Sequence, residues 1–143
     1  MKAKQISVFL ENKWGRLAEA TKVLGDNDIN IRALSVADTA DYGVLRMIVN
    51  KPDKAYTALK DKGFIATKTN VFGIKISDKP GSLAGILEEL KKKSLNVEYI
   101  YSFSEKSHDS AILILRVEDI DEAIKTLQSA GVKVIRAKEL YTL

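Results

Sequence analysis

The sequence predicts an α+β protein of two tandem βαββαβ domains, with helices on one face of antiparallel sheets. Three observations carry this: an internal repeat, a switch of hydrophobic period inside each copy from two to about 3.6, and a glycine where each copy's second helix should stop. Residues 10–31, LENKWGRLAEATKVLGDNDINI, align without a gap with residues 76–97, ISDKPGSLAGILEELKKKSLNV, at an offset of 66. Lys13, Gly15, Leu17, Ala18, Leu24 and Asn30 meet Lys79, Gly81, Leu83, Ala84, Leu90 and Asn96. A repeat of this length is one supersecondary unit used twice. Further on, 53–64 faces 121–132 at an offset of 68, sharing an Asp, an Ala, a Leu and a Gly. The two extra residues belong in the polar stretch Ser104–Asp109, opposite Asp38–Tyr42, because insertions collect in exposed connections.

The elements follow in order. Ile6, Val8 and Leu10 alternate, as do Phe72, Ile74 and Ile76, so each copy opens with a strand. Leu83, Ile86, Leu87 and Leu90 stand at i, i+3, i+4 and i+7 and form the apolar stripe of a helix, matched by Leu17, Ala20, Thr21 and Leu24. Second strands are expected at Ile31–Val36 and Val97–Phe103. The near-continuous apolar runs Val44–Asn50 and Ala111–Val117 suit central strands. Second helices start near Pro52 and Asp119 and stop at Gly63 and Gly131, and short strands at Phe64–Asn70 and Val132–Ala137 close the copies.

That order is the ferredoxin-like split βαβ. Right-handed crossovers are expected to set the first and third strands centrally and parallel, with both helices on one face and the second and fourth strands at the edges. Edges invite pairing, so the two sheets are expected to join. Both faces of Ala111–Leu115 are apolar, so a partner domain or another chain should cover the face away from the helices. The domains run 1–70 and 71–143, joined near Asn70–Phe72, each close to the lower size for a stable core.

Composition removes several function classes. The chain has 143 residues, 45% hydrophobic and 29% charged, as in an ordinary soluble globular protein. With no cysteine, disulfides, thiolate metal sites and cysteine nucleophiles are excluded. The N-terminal apolar run Ile6–Leu10 stops at Glu11, too short for a secretory signal or a membrane span; a cytoplasmic location is expected. The net charge of +4 is mild, and the basic run Lys91–Lys93 falls late in a helix, where cations suit the negative end of the dipole.

The strongest site signal is the first strand-to-helix turn, Asn12-Lys13-Trp14-Gly15-Arg16-Leu17, repeated as Asp78-Lys79-Pro80-Gly81-Ser82-Leu83. Pro80 suits helix entry, having a fixed φ and no N–H. Gly15 and Gly81 let backbone come close to another group, and the free N–H groups of the helix start form a pocket for an anion such as a carboxylate. The plainer alternative is a tight turn capped by Asn or Asp. The second copy, and an Asn at the start of each second strand, favour a ligand site.

At these residues the chain resembles the ACT domain, the amino-acid-binding regulatory module of metabolic enzymes. Its signature is a strand ending in Asn or Asp, a basic residue, Pro-Gly-x-Leu, a helix, then Asn followed by Ile or Val. Asp78 to Val97 match well; the first copy matches with Trp14 where Pro is usual. The resemblance covers nearly the whole chain as two tandem ACT domains. It implies domains pairing side by side, binding a free amino acid at their interface and acting allosterically, without cofactor or metal. The site residues it implies are Asn12, Lys13, Trp14, Gly15, Arg16 and Leu17, then Asp78, Lys79, Pro80, Gly81, Ser82 and Leu83, with Asn30, Ile31, Asn96 and Val97. Asn12, whose amide both donates and accepts, is expected to bridge ammonium and carboxylate. Asp78 must grip an ammonium or cap its own helix, since its charge repels a carboxylate. The first turn is therefore expected to be the principal site. Trp14 is expected to pack at the domain interface, or else to roof the pocket. Implied partners are the amino acid, a second copy in a homodimer or higher oligomer, and a metabolic enzyme.

Other classes fare worse. His108, the sole histidine, sits in a polar loop beside Asp109, and no nucleophile triad, metal cluster or Walker loop can be assembled. Arg16 and Asn30 loosely resemble the Arg and Asn of acylphosphatase, but Ser82 replaces Arg16 in the copy. An RNA-recognition module would stack bases on central-strand aromatics, whereas Val44, Leu45, Met47, Ile112 and Leu113 stand there. Neither a nucleic acid nor a membrane is an expected partner. The closer rival is a regulatory small subunit like that of acetohydroxyacid synthase, which also begins with an ACT domain but does not usually repeat the Pro-Gly motif.

Overall fold

A computed structural model describes residues 1–38, 41–103 and 109–143. Among them are β1 (Ala3–Glu11), α1 (Arg16–Asp26), β2 (Ile31–Asp38), β3 (Tyr42–Val49), α2 (Pro52–Asp61), β4 (Ile65–Ser77), α3 (Ser82–Lys92), β5 (Val97–Ser102), β6 (Ser110–Val117), α4 (Ile120–Ser129), β7 (Lys133–Ile135) and α5 (Ala137–Thr142). Most of Ser104–Asp109, including His108, and the matching positions Thr39 and Ala40 lie outside the described residues. The chain forms two compact units: Lys4–Thr69 with Tyr141–Leu143, and Asn70–Leu140 with Met1–Ala3.

In the N-terminal unit the order is β2-β3-β1, with β4 beside β1. Ile6 pairs with Met47 and Val8 with Leu45, so β1 and β3 run antiparallel. The expected parallel pairing is corrected here. The crossover through α1 returns the chain parallel to β1 only as β2, and the hairpin to β3 reverses it again. Alternation then sorts the faces. Ile6, Val8, Leu10, Leu45, Met47 and Val49 pack with Ala20 and Leu24 of α1 and Ala55 and Leu59 of α2. On the other face Gln5 and Ser7 are buried, and Gln5 Nε2 donates to Ser7 Oγ at 2.9 Å. Tyr141 joins this unit: its hydroxyl accepts the Lys4 N–H at 2.6 Å and its carbonyl accepts from Arg32 Nε at 3.2 Å.

The C-terminal unit repeats the plan with β4 in the role of β1. Phe72 pairs with Leu115 and Ile74 with Leu113, β5 flanks β6, and β7 pairs with β4 through Ile74 and Val134. Phe72, Ile74, Leu113, Leu115 and Val117 pack with Ile86 and Leu90 of α3 and with Ala123, Ile124 and Leu127 of α4.

Two expectations change here. The closing strand of the first copy and the opening strand of the second are one continuous strand, β4, because no Gly, Pro or Asn-Gly turn interrupts the junction Ile65–Phe72. The last strand stops at Ile135, and Ala137–Thr142 is helical. That helix answers part of the two-faced apolar pattern of β6 from within the unit. Ile112 and Ile114 are buried on the face away from α3 and α4, and Leu140 presses onto Gly73, the register partner of Ile114. The basic run falls as expected, with Lys91 and Lys92 in the last turn of α3, pairing with Glu88 and Glu89.

Candidate functional site at the first turn

Between β1 and α1 the backbone folds on itself. The Asn12 N–H donates to the Asp41 carbonyl at 3.2 Å, the Lys13 N–H to Glu11 at 2.7 Å, and the Arg16 N–H to Lys13 at 3.3 Å. Gly15 heads α1 at φ 90° and takes the Glu19 N–H on its carbonyl at 2.9 Å. The second turn has the same geometry: Gly81 heads α3 at φ 88°, Ser82 donates to Lys79 at 3.2 Å, and Gly85 donates to Gly81 at 3.0 Å.

The capping alternative for these turns is corrected. Neither helix start has a side-chain cap, because a left-handed glycine holds the capping position; Asn12 and Asp78 are not caps. No protein group crowds the glycines, since a Cβ at either would meet nothing within 4 Å, so any close approach there would be by a ligand. Glycine is needed there for positive φ, which costs an L residue about 1–2 kcal/mol. With the Arg16 and Glu19 amides engaged, the Leu17 and Ala18 amides remain without intrahelical acceptors at the positive end of α1.

Charges at the first turn come in pairs. Lys13 Nζ lies 2.8 Å from Glu11 Oε2. The hydrogen bond from Lys13, and then its charge, hold the Glu11 carboxyl below the usual range. The Arg16 guanidinium lies 4.3 Å over the Phe64 ring and donates from Nη1 to Glu19 Oε2 at 2.7 Å. Its Nε is buried without a hydrogen-bond partner. Trp14 is 100% exposed, so it roofs nothing and packs on nothing in this chain.

A cavity of about 180 Å³ opens at this turn, lined by Leu10, Glu11, Asn12, Lys13, Arg16, Leu17, Val36 and Gly43. It gathers four of the expected residues, Asn12, Lys13, Arg16 and Leu17. Gly15 shapes it without lining it. At the second turn, Gly81 and Ser82 border a depression with Gly85, Ile86, Glu89, Ala130 and Val132, to which Asp78, Lys79, Pro80 and Leu83 do not contribute. Asn96 and Val97 border another, with Leu87, Leu90, Lys91, Ser94 and Leu95.

Asn30 and Ile31 are not brought to the first turn of their own unit. They follow the C-terminal end of α1, about 16 Å from its start at 1.5 Å per residue. Asn30 instead binds strand to strand: its carbonyl accepts the Asn50 N–H at 3.1 Å, and its N–H donates to Asn50 Oδ1 at 2.9 Å. In the copy, Glu118 N–H donates to the Asn96 carbonyl at 3.3 Å.

Glu11, Phe64, Val36 and Gly43 were not foreseen. One signal was available: Arg16 and Phe64 are replaced together, by Ser82 and Val132, in the other copy. Among the described residues no group of three or more His, Asp or Glu could hold a metal ion, and no helix is long and apolar enough to cross a membrane.

Comparison with known proteins accords with this architecture. The family model of the ACT domain pair matches residues 1–143. No curated protein matches the chain. Among solved structures, protein BT0572 from Bacteroides thetaiotaomicron is similar at 45% identity and TM-score 0.94, over 100% of this chain and 98% of that one. The regulatory subunit of aspartate kinase from Thermus thermophilus, in ligand-free form, is similar at 17% identity and TM-score 0.66, over 90% and 93% of the two chains. That from Thermus flavus is similar at 16% and 0.64, over 92% and 94%. The last two likenesses speak to fold alone. With the repeated turn, the βαββαβ units and a whole-length match, this chain belongs to the ACT domain pair family.

Proposed function

We propose that the protein is a non-catalytic regulator that binds a free amino acid at the first turn, Asn12 to Leu17, and modulates a metabolic enzyme in trans. The observation that carries this reading is the cavity beside the uncapped start of α1. There the Leu17 and Ala18 amides suit a carboxylate, and the lining offers Asn12 together with the apolar Leu10, Leu17 and Val36. The second turn shares the backbone, but Asp78 stands where Asn12 does and does not line the depression beside Gly81 and Ser82, which favours the first turn as the principal site. The Thermus relatives are regulatory subunits of aspartate kinase, a precedent for such a pair as a regulatory chain. The domains are 1–70 and 71–143, and the protein works as a cytoplasmic homodimer or higher oligomer, with Trp14 free to pack against a second copy.

Thermal-shift measurements with each of the twenty amino acids, a set of nucleotides and an RNA oligomer test this. A ligand at one hundred times its Kd adds about 2.7 kcal/mol, a shift of several degrees for a chain of this size. An amino acid should produce that shift, with nucleotides and RNA inert. A shift from RNA alone, or from nothing, overturns the proposal.

A further inference from the structure

The cavity at the first turn has walls of two chemistries, and from that division we infer that its amino acid carries an uncharged aliphatic side chain of three or four carbons, as in valine, leucine or isoleucine. The inference rests on the proposed amino-acid site and adds the class of ligand.

Size is the first argument. At about 180 Å³ the cavity is well under the roughly 300–1,000 Å³ of pockets for drug-sized ligands. It holds an amino acid with a short side chain. Wall chemistry is the second. Beside Glu11, Asn12, Lys13 and Arg16, the lining consists of Leu10, Leu17, Val36 and Gly43, whose side chains offer no donor or acceptor. Leu17 and Val36 are 43% and 46% exposed, apolar area that an aliphatic side chain would cover.

Electrostatics is the third. Lys13 is paired with Glu11 at 2.8 Å and Arg16 with Glu19 at 2.7 Å, so every charged group on the wall already has an opposite charge. The ligand's own carboxylate is served by the amides of α1. An acidic side chain would add an anion beside Glu11, and a basic one a cation beside Lys13 and Arg16. A basic side chain would lose hydration against the apolar lining with no unpaired charge in return. For an acid or a hydroxyl the one unpartnered donor on the lining is the buried Arg16 Nε–H, whose charge Glu19 already balances.

The repeat supplies an independent comparison. Val36 pairs with Leu45, and its counterpart Ser102 pairs with Leu113. Among the apolar lining positions, Val36 is thus the one that becomes polar in the second copy.

The test is calorimetry on the full chain with glycine, alanine, valine, leucine, isoleucine, threonine, phenylalanine, lysine and aspartate. Each buried methylene should tighten binding about fourfold, so affinity should rise from alanine to valine to leucine. Valine should bind about tenfold more tightly than threonine, its hydroxyl counterpart. Val36→Ser, which copies the second turn, should weaken leucine about tenfold and leave alanine unchanged. A threonine, lysine, aspartate or phenylalanine complex tighter than leucine and lost in Asn12→Asp overturns the inference and keeps the site. If no amino acid binds, the site itself falls, and the inference with it. The valine–threonine comparison uses the unmodified chain and stands whether or not Val36→Ser folds.

Discussion

Arg16 lays its guanidinium 4.3 Å above the ring of Phe64, tying the start of α1 to the residue that follows the glycine after α2. The two positions change together between the copies, to Ser82 and Val132. A planar, weakly hydrated guanidinium can lie flat on an aromatic face in a way an ammonium does not. Held there, Arg16 reaches Glu19 with Nη1 while Nε stays buried without a partner. The asymmetry between the turns therefore lies in side chains laid over one shared backbone.

Arg16→Ser tests that contact. Cation–π pairs contribute about 0.5–1 kcal/mol when exposed and about 2 when desolvated, and the Arg16 side chain is 26% exposed. The ion pair with Glu19 adds little, since Glu19 is mostly exposed. Urea denaturation should show a loss of about 1 kcal/mol, with Arg16→Lys falling between. An unmoved midpoint would show that the ring contact does not stabilise the turn.

Gly15 supports a backbone prediction. Its φ of 90° excludes a β-branched residue more strongly than Asn, which is enriched at positive φ. Because a Cβ there meets nothing, the cost is conformational rather than steric crowding. Gly15→Val should lose about 1–2 kcal/mol and Gly15→Asn clearly less, with the same ranking at Gly81. Equal losses for Val and Asn would assign the cost to something other than φ.

Gly73 is the opposite case, where space decides. A Cβ there would stand 2.7 Å from Leu140 Cδ2 and 3.0 Å from Cδ1, at a buried position of β4. Gly73→Ala should cost about 1–3 kcal/mol through overpacking, unless Leu140 withdraws. Leu140→Ala should also destabilise, by leaving a cavity. The double variant should recover part of the loss, because the new methyl enters the space Leu140 vacates. Strict additivity of the two losses would show that the residues do not share that space.

Most of the architecture was legible in the chain because it is repeated and periodic. The stripe Leu83, Ile86, Leu87, Leu90 fixed α3, and Ile6, Val8 and Leu10 fixed the inward face of β1. What escaped were features without a local signature. The antiparallel pairing of β1 and β3 follows from counting chain reversals, which hydrophobic pattern does not record. The fusion of two strands into β4 reflects a missing turn signal between Phe64 and Phe72. Ala137–Thr142, a six-residue helix, is too short to show a stripe; Leu140 gains its place from Gly73, distant in sequence. At the candidate site, the geometry of the turn was readable from Gly15 and Gly81. The apolar wall was not, because Val36 and Gly43 reach it from two other strands.

Acid should loosen the first turn. The Lys13 hydrogen bond, with its charge, lowers the folded-state pKa of Glu11. The stability linked to that shift is therefore present above the ordinary carboxylate pKa and lost as pH falls through the lowered value. Both groups are exposed, so the effect should be small and screened by salt. Titration of the Glu11 carboxyl carbon by NMR should give a midpoint below that measured in Lys13→Gln. Identical midpoints would mean the pair does not persist in solution.

The inequivalence of the turns yields the sharpest prediction about binding. Asn12 and Asp78 occupy the same position, each with its N–H on the carbonyl of the residue just before a strand, Asp41 before β3 and Asp109 before β6, at 3.2 and 3.1 Å. Neither side chain caps its helix. A carboxylate at a helix start gains about 0.3–1 kcal/mol, or about 2 when partly buried. A like charge about 4 Å away costs about 1 kcal/mol in water and about 4 at an effective dielectric near 20, so even partial shielding from solvent lets repulsion win. An acid at position 12 would thus oppose a ligand carboxylate at α1, and on the proposed reading the acid at 78 disfavours one at α3. Calorimetry should find Asn12→Asp weakening the amino acid by about tenfold or more, and Asp78→Asn leaving it within about twofold. The reverse order would move the principal site to the second turn.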